Sequence, residues 1–509
     1  MSKLKQLMDC KGKRIRLWHR RLLIYWGLLL ALPLILVLVG FHWWVTRPLL
    51  LVALETGWYV RPFILPLALT SFGIGMGILI PMVIIKNSIF NAGFFAKSDQ
   101  IQALAVYLLD HDFIIRKQIV NGTKEKLKFP PVYYRRGIDM DTLTFRIGNQ
   151  FHDRFLELGK TLEELYLADL IEIERIPKHV SYKLLVDTIS KRIGFEEAKV
   201  ENGILTLMQG VEWDFEAMPH MLITGGTGGG KTYFLYTLIA LLGKIGRVHI
   251  ADPKNSDLTH LGQFSAFKGY VASEKAAILD QMKLAVEFME KRYKYMNEHP
   301  DQKMGQNYRY YQMPPEFFIV DEWGAFISTL DMREEATLYQ SIAPLVLKAR
   351  QCGVFLIIAT QRAGTDVIKS MIRDNLMCKV SLGTLSPMGY EMTFGDGGKD
   401  KAFFNKPKVK GRGYIDCGNG IPQEFYAPHV PADFSFEAYF KQMADMVYLD
   451  VSSVVLTSDD RDTFKQAFES EKAVLMAENE TAKRKKGHDY YAKKERKHQQ
   501  LRNQAHQRE

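Results

Sequence analysis

Residues 218–232 read MPHMLITGGTGGGKT, and the run FLYTLIALLG follows at 234–243. A short apolar stretch, His220–Thr224, leads into a glycine-rich loop, and that loop opens a helix-like segment. The loop is Gly225, Gly226, Thr227, Gly228, Gly229, Gly230, Lys231 and Thr232, which fits GxxxxGK[ST] in a strand–loop–helix context. Without Cβ atoms, successive backbone N–H groups can converge on phosphate oxygens, and a helix N-terminus favours the same negative charge. Lys231 is expected to reach the β- and γ-phosphates, and the Thr232 hydroxyl to ligate Mg²⁺. A merely flexible turn would explain neither the Lys-Thr pair nor the flanking elements. The eight loop residues are therefore the expected nucleotide-binding set.

Three more strand-like runs come next, each with a polar tip: RVHIAD (247–252), EFFIVDE (316–322) and VFLIIATQ (354–361). Helical runs at 274–296 and 334–351 separate them. Such alternation predicts an α/β fold with a parallel sheet covered on both faces. Chemistry in these sheets gathers at the strand carboxyl ends, where Asp252, Asp321, Glu322 and Gln361 fall. Asp321 is expected to hold the Mg²⁺ water shell, and Glu322 to polarise the water attacking the γ-phosphate. Thr360 and Gln361 are expected to contact the γ-phosphate or that water. The only near match to a guanine-reading NKxD, Asn405-Lys406-Pro407-Lys408, lacks the acid, so ATP is the expected nucleotide.

The chain has 509 residues, of which 47% are hydrophobic, enough to bury more than one core. Its 67 Lys and Arg against 57 Asp and Glu give a formal charge of +10. That excess is concentrated at the ends: residues 1–21 hold eight bases and one acid, and 483–509 hold ten bases and three acids. The body between is net acidic, which excludes one evenly basic nucleic-acid-coating domain. Collagen-like, disulfide-scaffold and wholly disordered classes are excluded by ordinary Gly and Pro content and four cysteines. Cys10, Cys352, Cys378 and Cys417 form no CxxC pair, so reduced thiols are expected.

Residues 22–45 and 62–85 contain no Asp, Glu, Lys or Arg. Each run is longer than the roughly 20 residues a membrane helix needs. Trp43, Trp44, Trp58 and Tyr59 sit at their outer ends, where amphipathic rings favour the interface. A signal peptide fits the first run poorly, because it is long, lacks a small-residue cleavage site and is followed by a second run. Eight bases precede the first run and only Arg47 and Arg61 lie in 46–61. Two spans with a short external loop at 46–61 and both termini cytoplasmic are expected. Gly73 and Gly77 give a GxxxG spacing suited to close helix approach.

Between 86 and 205 a small cytoplasmic α+β domain is expected. FPPVYYR (129–135) and TLTFRIG (142–148) read as paired strands, and 153–170 as a helix. A motor domain is expected over 206–435. A C-terminal helix and a basic, disordered tail are expected over 436–509.

With these residues in place, the chain resembles the FtsK/SpoIIIE family of DNA-translocating motors. The similar stretches are 218–232, IADPKNSDL (250–258), EFMEKRYKYM (287–296), FFIVDEW (317–323), ARQCGVFLIIATQR (349–362), IRDNLMCKVSLG (372–383) and GRGYI (411–415). The resemblance covers roughly 210–430. It implies a RecA-like fold in a ring, a homo-hexamer, driving DNA through a central pore. ATP would then lie between neighbours, with Arg350 in KARQCG resembling a trans-acting arginine finger and Arg362 as the second choice. About 80 residues follow Pro428, little room for a winged-helix module that reads DNA orientation. Two spans, a small domain and a compact motor look instead like the coupling ATPases of Gram-positive conjugative elements, whose partners would include a relaxase and channel proteins. The basic tail could hold DNA phosphates, both basic ends could grip anionic membrane lipid, or the tail could carry no specific ligand. Three other readings stay open: a chromosome or plasmid segregation motor, a protein-secretion ATPase, and a nucleotide-gated membrane scaffold.

Overall fold

The computed structural model describes residues 12–56, 61–90, 94–118, 125–137, 139–226, 228–399, 401–404 and 409–443. Thr227 of the glycine loop, residues 1–11 and the basic tail beyond 443 lie outside the described residues.

The region after residue 220 is built on β1 (Met221–Gly225), β2 (Arg247–Ala251), β3 (Val271–Ala272), β4 (Glu316–Val320), β5 (Val354–Thr360), β6 (Cys378–Leu382), β7 (Arg412–Asp416) and β8 (Gln423–Tyr426). They lie in the order β3-β2-β4-β5-β1-β6-β7-β8. The first six run parallel, while β7 and β8 fold back antiparallel along one edge. Every residue of β1, β4 and β5 is buried, as continuous apolar runs covered on both faces should be. The register sets Thr224 opposite Thr360, and Val320 opposite Ile358 and Ala251, so the tips of β2, β4, β5 and β1 share one edge of the sheet. The helix Lys231–Leu242 is apolar nearly all round, and Phe234, Leu235, Leu238 and Leu242 are buried. A helix of that kind must be covered on more than one side. Part of the cover comes from the helix Phe436–Gln442, whose first turn is capped by the Ser435 side chain. Phe436 stacks near Tyr236 at 5.1 Å and Phe440 near Phe267 at 5.5 Å. The segment expected to leave the motor at 436 is thus part of its packing as far as 443.

The boundary expected at 205/206 falls inside the strand Ile204–Met208. That strand is the middle of a three-stranded meander with Lys199–Glu201 and Val211–Asp214. Alternating Leu205, Leu207 and Val211, Trp213 bury one face of it.

The small domain carries a five-stranded antiparallel sheet in the order Lys13–Arg14, Val132–Arg136, Met140–Arg146, His179–Leu185, Asp169–Ile176. Its first strand comes from the basic N-terminal segment, which the sequence suggested would stand apart. Lys13 pairs with Tyr134 and Arg14 with Tyr133, and Ile15 and Leu22 are buried in the same core as Leu104, Phe145, Phe155 and Tyr182. The helix expected over 153–170 is two shorter ones, His152–Leu156 and Gly159–Tyr166. Leu167 ends the second in a left-handed conformation (φ 49°), and Asp169 already begins a strand.

Two long apolar helices, Leu22–Thr56 and Arg61–Phe90, join the N-terminal strand to the rest of the small domain and pack along each other. Part of the loop expected over 46–61 is helical, as far as Thr56, with Pro48 inside that helix. A Cβ on Gly73 would stand 2.8 Å from the Leu38 side chain, so this glycine admits close approach of the two helices.

Small domain and motor are locked by a buried ionic network. Lys401, fully buried, reaches Asp169 at 2.6 Å and Glu163 at 2.7 Å, and also donates to Leu170 O at 2.9 Å. Asp169 in turn accepts from the Glu424 backbone N–H at 2.8 Å, and Glu424 pairs with Arg412 at 2.8 Å. Burial pushes Glu163 up to about 7, against the pull of the Lys401 ammonium. Removing one member of such a cluster strands uncompensated charge, at a cost of about 3–5 kcal/mol.

Candidate nucleotide site

Four neighbouring strand tips supply the polar residues of one cavity of about 640 Å³. Lys231 follows β1, Gln361 follows β5, Asp321 and Glu322 follow β4, and Lys254 follows β2. The glycine loop is held tightly from below. A Cβ on Gly229 would meet Leu382 O at 2.7 Å, and one on Gly230 (φ 99°) would meet the Gly411 nitrogen at 2.8 Å. Gly411 N–H also donates to Gly229 O at 3.1 Å. Glycine suits these positions because each lies against backbone with no room for a side chain, and among the described loop residues the Gly229 N–H donates to Gly226 O at 3.2 Å.

Lys231 is almost buried and bridges both acids, lying 3.1 Å from Asp321 and in direct contact with Glu322. Glu322 also receives Lys254 at 3.2 Å and the Gln361 amide at 3.3 Å. Burial works to raise the Glu322 carboxyl, but its partners Lys231, Gln361 and Lys254 outweigh that and hold it below the ordinary range. Asp321, more deeply enclosed, is pushed up by burial despite Lys231. Glu322 adopts a left-handed conformation (φ 49°, ψ 51°), sparsely populated for a residue with a side chain and costing on the order of 1–3 kcal/mol. The next residue holds that strain in place: Trp323 is fully buried and its indole N–H donates to Val367 O at 3.1 Å.

Not every expected residue reaches the cavity in the expected role. The Thr360 hydroxyl donates to Arg362 O at 3.1 Å and is buried, so it shapes a turn and does not face phosphate. Both oxygens of Asp252 are taken by the turn after β2, accepting from Lys254 N, Ser256 and Thr259. Its work is to aim Lys254, which residue-by-residue reading passed over although it stands in the DPK segment. Four aromatic rings were also missed: Tyr233, Tyr236, Phe434 and Phe436 line the same cavity. The dense FSFEAYF run at 434–440 is the signal that could have found two of them. Cys378 and Cys417, remote in sequence, lie 3.5 Å apart across paired strands.

Arg350 is exposed, outside this cavity, on the turn before β5 at the opposite end of the sheet. That turn is firmly clamped. Arg292 donates to Cys352 O at 3.0 Å and pairs with Glu316 at 3.2 Å, Tyr293 OH donates to Lys348 O, and Tyr308 N–H to Gln351 O at 2.8 Å. The EKRY segment is therefore a structural brace for the turn that presents Arg350. Arg362 is exposed beside Gln361 and lies 3.9 Å from Asp366.

Over 452 residues the chain is 35% identical to the FtsK domain-containing protein YdcQ of Bacillus subtilis strain 168, covering 86% of this chain and 92% of that one. The chain belongs to the FtsK family. It is a P-loop ATPase with the α/β, RecA-like motor fold, preceded by two apolar helices and a small α+β domain. Other members align over the motor: DNA translocase SftA of B. subtilis at 28% identity (41% of this chain, 22% of that one) and DNA translocase FtsK of Corynebacterium efficiens at 26% (43% and 25%). A solved structure of the pCW3 conjugation coupling protein TcpA with ATPγS superimposes with a TM-score of 0.43 at 20% identity, over 62% of this chain and 93% of that one. No family model matches the FtsK-family chain.

Proposed function

We propose that this FtsK-family ATPase is a membrane-anchored, ATP-driven DNA translocase that serves as the coupling protein in conjugative DNA transfer. The observation that carries the motor reading is the convergence of Lys231, Asp321, Glu322 and Gln361 beneath a glycine loop, in a chain related to an FtsK-domain protein along most of its length. The loop N–H groups and Lys231 bind the ATP phosphates. Glu322, kept ionised by its cationic neighbours, takes the proton of the attacking water, and Gln361 orients that water. Thr232 and Asp321, a hydroxyl and a carboxylate lining one cavity, are the hard oxygen ligands suited to Mg²⁺. When bound, Mg²⁺ neutralises phosphate charge. Arg350, held out on its braced turn, reaches the nucleotide of the neighbouring subunit in a homo-hexameric ring.

The membrane reading draws on the two long helices. Leu28, Leu36, Val37, Phe72, Ile78 and Val83 are exposed along them, and hydrocarbon is the solvent that suits such surfaces. Strand pairing of Lys13–Arg14 with Tyr133–Tyr134 ties the chain before the first helix to the domain after the second. Both ends of the helical pair then lie on the cytoplasmic side, beside the motor. Conjugation specificity draws on the layout of two spans, small domain and single motor.

The test is ATP turnover by the full chain with no DNA, single-stranded DNA or duplex DNA. Stimulation by either DNA is expected. Turnover indifferent to both, or stimulated only by a secreted protein, removes the reading.

A further inference from the structure

A second cavity, of about 610 Å³, lies where the N-terminal strand turns into the first long helix. Arg14, Arg16, Arg20, Arg21 and Lys128 line it. Among the described residues none of these five cations is paired with a carboxylate. Five like charges around one hollow repel each other unless an anion sits among them. The cavity also has an unusual address. Arg21 immediately precedes Leu22, the first residue of the apolar helix, and Tyr25 on the cavity wall is only about 6 Å further along that helix. Trp18 and Tyr25 are 46% and 45% exposed there, the kind of rings that settle at headgroup depth. The opposite wall, Leu127–Phe129, comes from the small domain, so the hollow is a folded one and not merely a charged tail.

We infer that this cavity binds the phosphate-bearing headgroup of an anionic phospholipid, with the acyl chains running beside the first long helix. The inference rests on the membrane reading above. A lipid is favoured over nucleic acid because Leu28 and Leu29, about one helical turn beyond the cavity-lining Tyr25, are exposed, surfaces a polyanion in water would not share.

The full chain, reconstituted in nanodiscs of mixed phosphatidylglycerol and phosphatidylcholine, is released and its retained lipids identified by native mass spectrometry. Preferential retention of phosphatidylglycerol is expected. Arg16→Gln, Arg20→Gln and Arg21→Gln should each lower that retention roughly five-fold, following the usual contribution of a basic residue at an anionic surface. Lys13→Gln removes the same charge outside the cavity and should retain phosphatidylglycerol as the parent does. ATP turnover in each variant reports that the fold is intact. Equal loss in Lys13→Gln, no preference in the parent, or displacement of the lipid by inorganic phosphate or a DNA oligonucleotide overturns the site. A chain that never enters phosphatidylcholine nanodiscs overturns instead the membrane reading beneath it.

Discussion

Glu322, the proposed general base, gathers three partners of the cavity at a single backbone position. Its carboxylate lies among the tips of β2, β5 and β1, where Lys254, Gln361 and Lys231 meet it. Replacing it by Gln keeps the shape but removes the base proposed above. Turnover should fall about 10²–10⁴-fold while ATP binding, read by equilibrium dialysis, persists. Lys231→Ala should lose ATP binding itself, since it deletes the cation that faces both acids and the loop. Phe436→Ala should raise the KM for ATP about ten-fold with kcat little changed, because its ring lines the cavity and offers a base a stacking face.

The elements joining small domain to motor respond to pH through Glu163. Its folded value, about 7, lies above the ordinary 4.5. Between those values the folded chain holds a proton that the unfolded chain has lost. Stability is therefore fully present below about pH 4.5 and declines as pH rises through 7, by at most about 3 kcal/mol. Melting curves of the full chain between pH 5 and 8 should show this slope, and Glu163→Gln should flatten it. A parent curve no steeper than the variant's removes the assignment. Lys401→Met, which leaves both acids buried without their cation, should destabilise the chain by about 3–5 kcal/mol in denaturant titration at pH 7.

For the whole assembly, the decisive prediction concerns Arg350. Neither Arg350→Ala nor Lys231→Ala should turn over alone. Mixed in one preparation they should recover part of the activity, because a subunit with an intact loop can borrow an intact arginine from its neighbour. Absence of rescue, with co-assembly shown by light scattering, would remove Arg350 from the role and leave Arg362 to be tried. The brace of Arg292 and Tyr293 predicts that Arg292→Ala also lowers turnover, by loosening the turn without touching ATP.

Local rules were enough for the features with short repeat lengths. The strand–loop–helix of 220–242, the acid pair after β4, the polar tip of β5 and the two apolar helices could all be read from the chain, because each depends on neighbours within a few residues. What the sequence could not settle are matters of distant packing. Lys13–Arg14 join a sheet more than a hundred residues away, and Lys401 finds its acids in another domain. Phe434 and Phe436 return to wall the nucleotide cavity, and Asp252 turns its oxygens into its own loop to aim Lys254. Burial and charge compensation choose such partners only once the layers have come together, so no periodicity along the chain announces them.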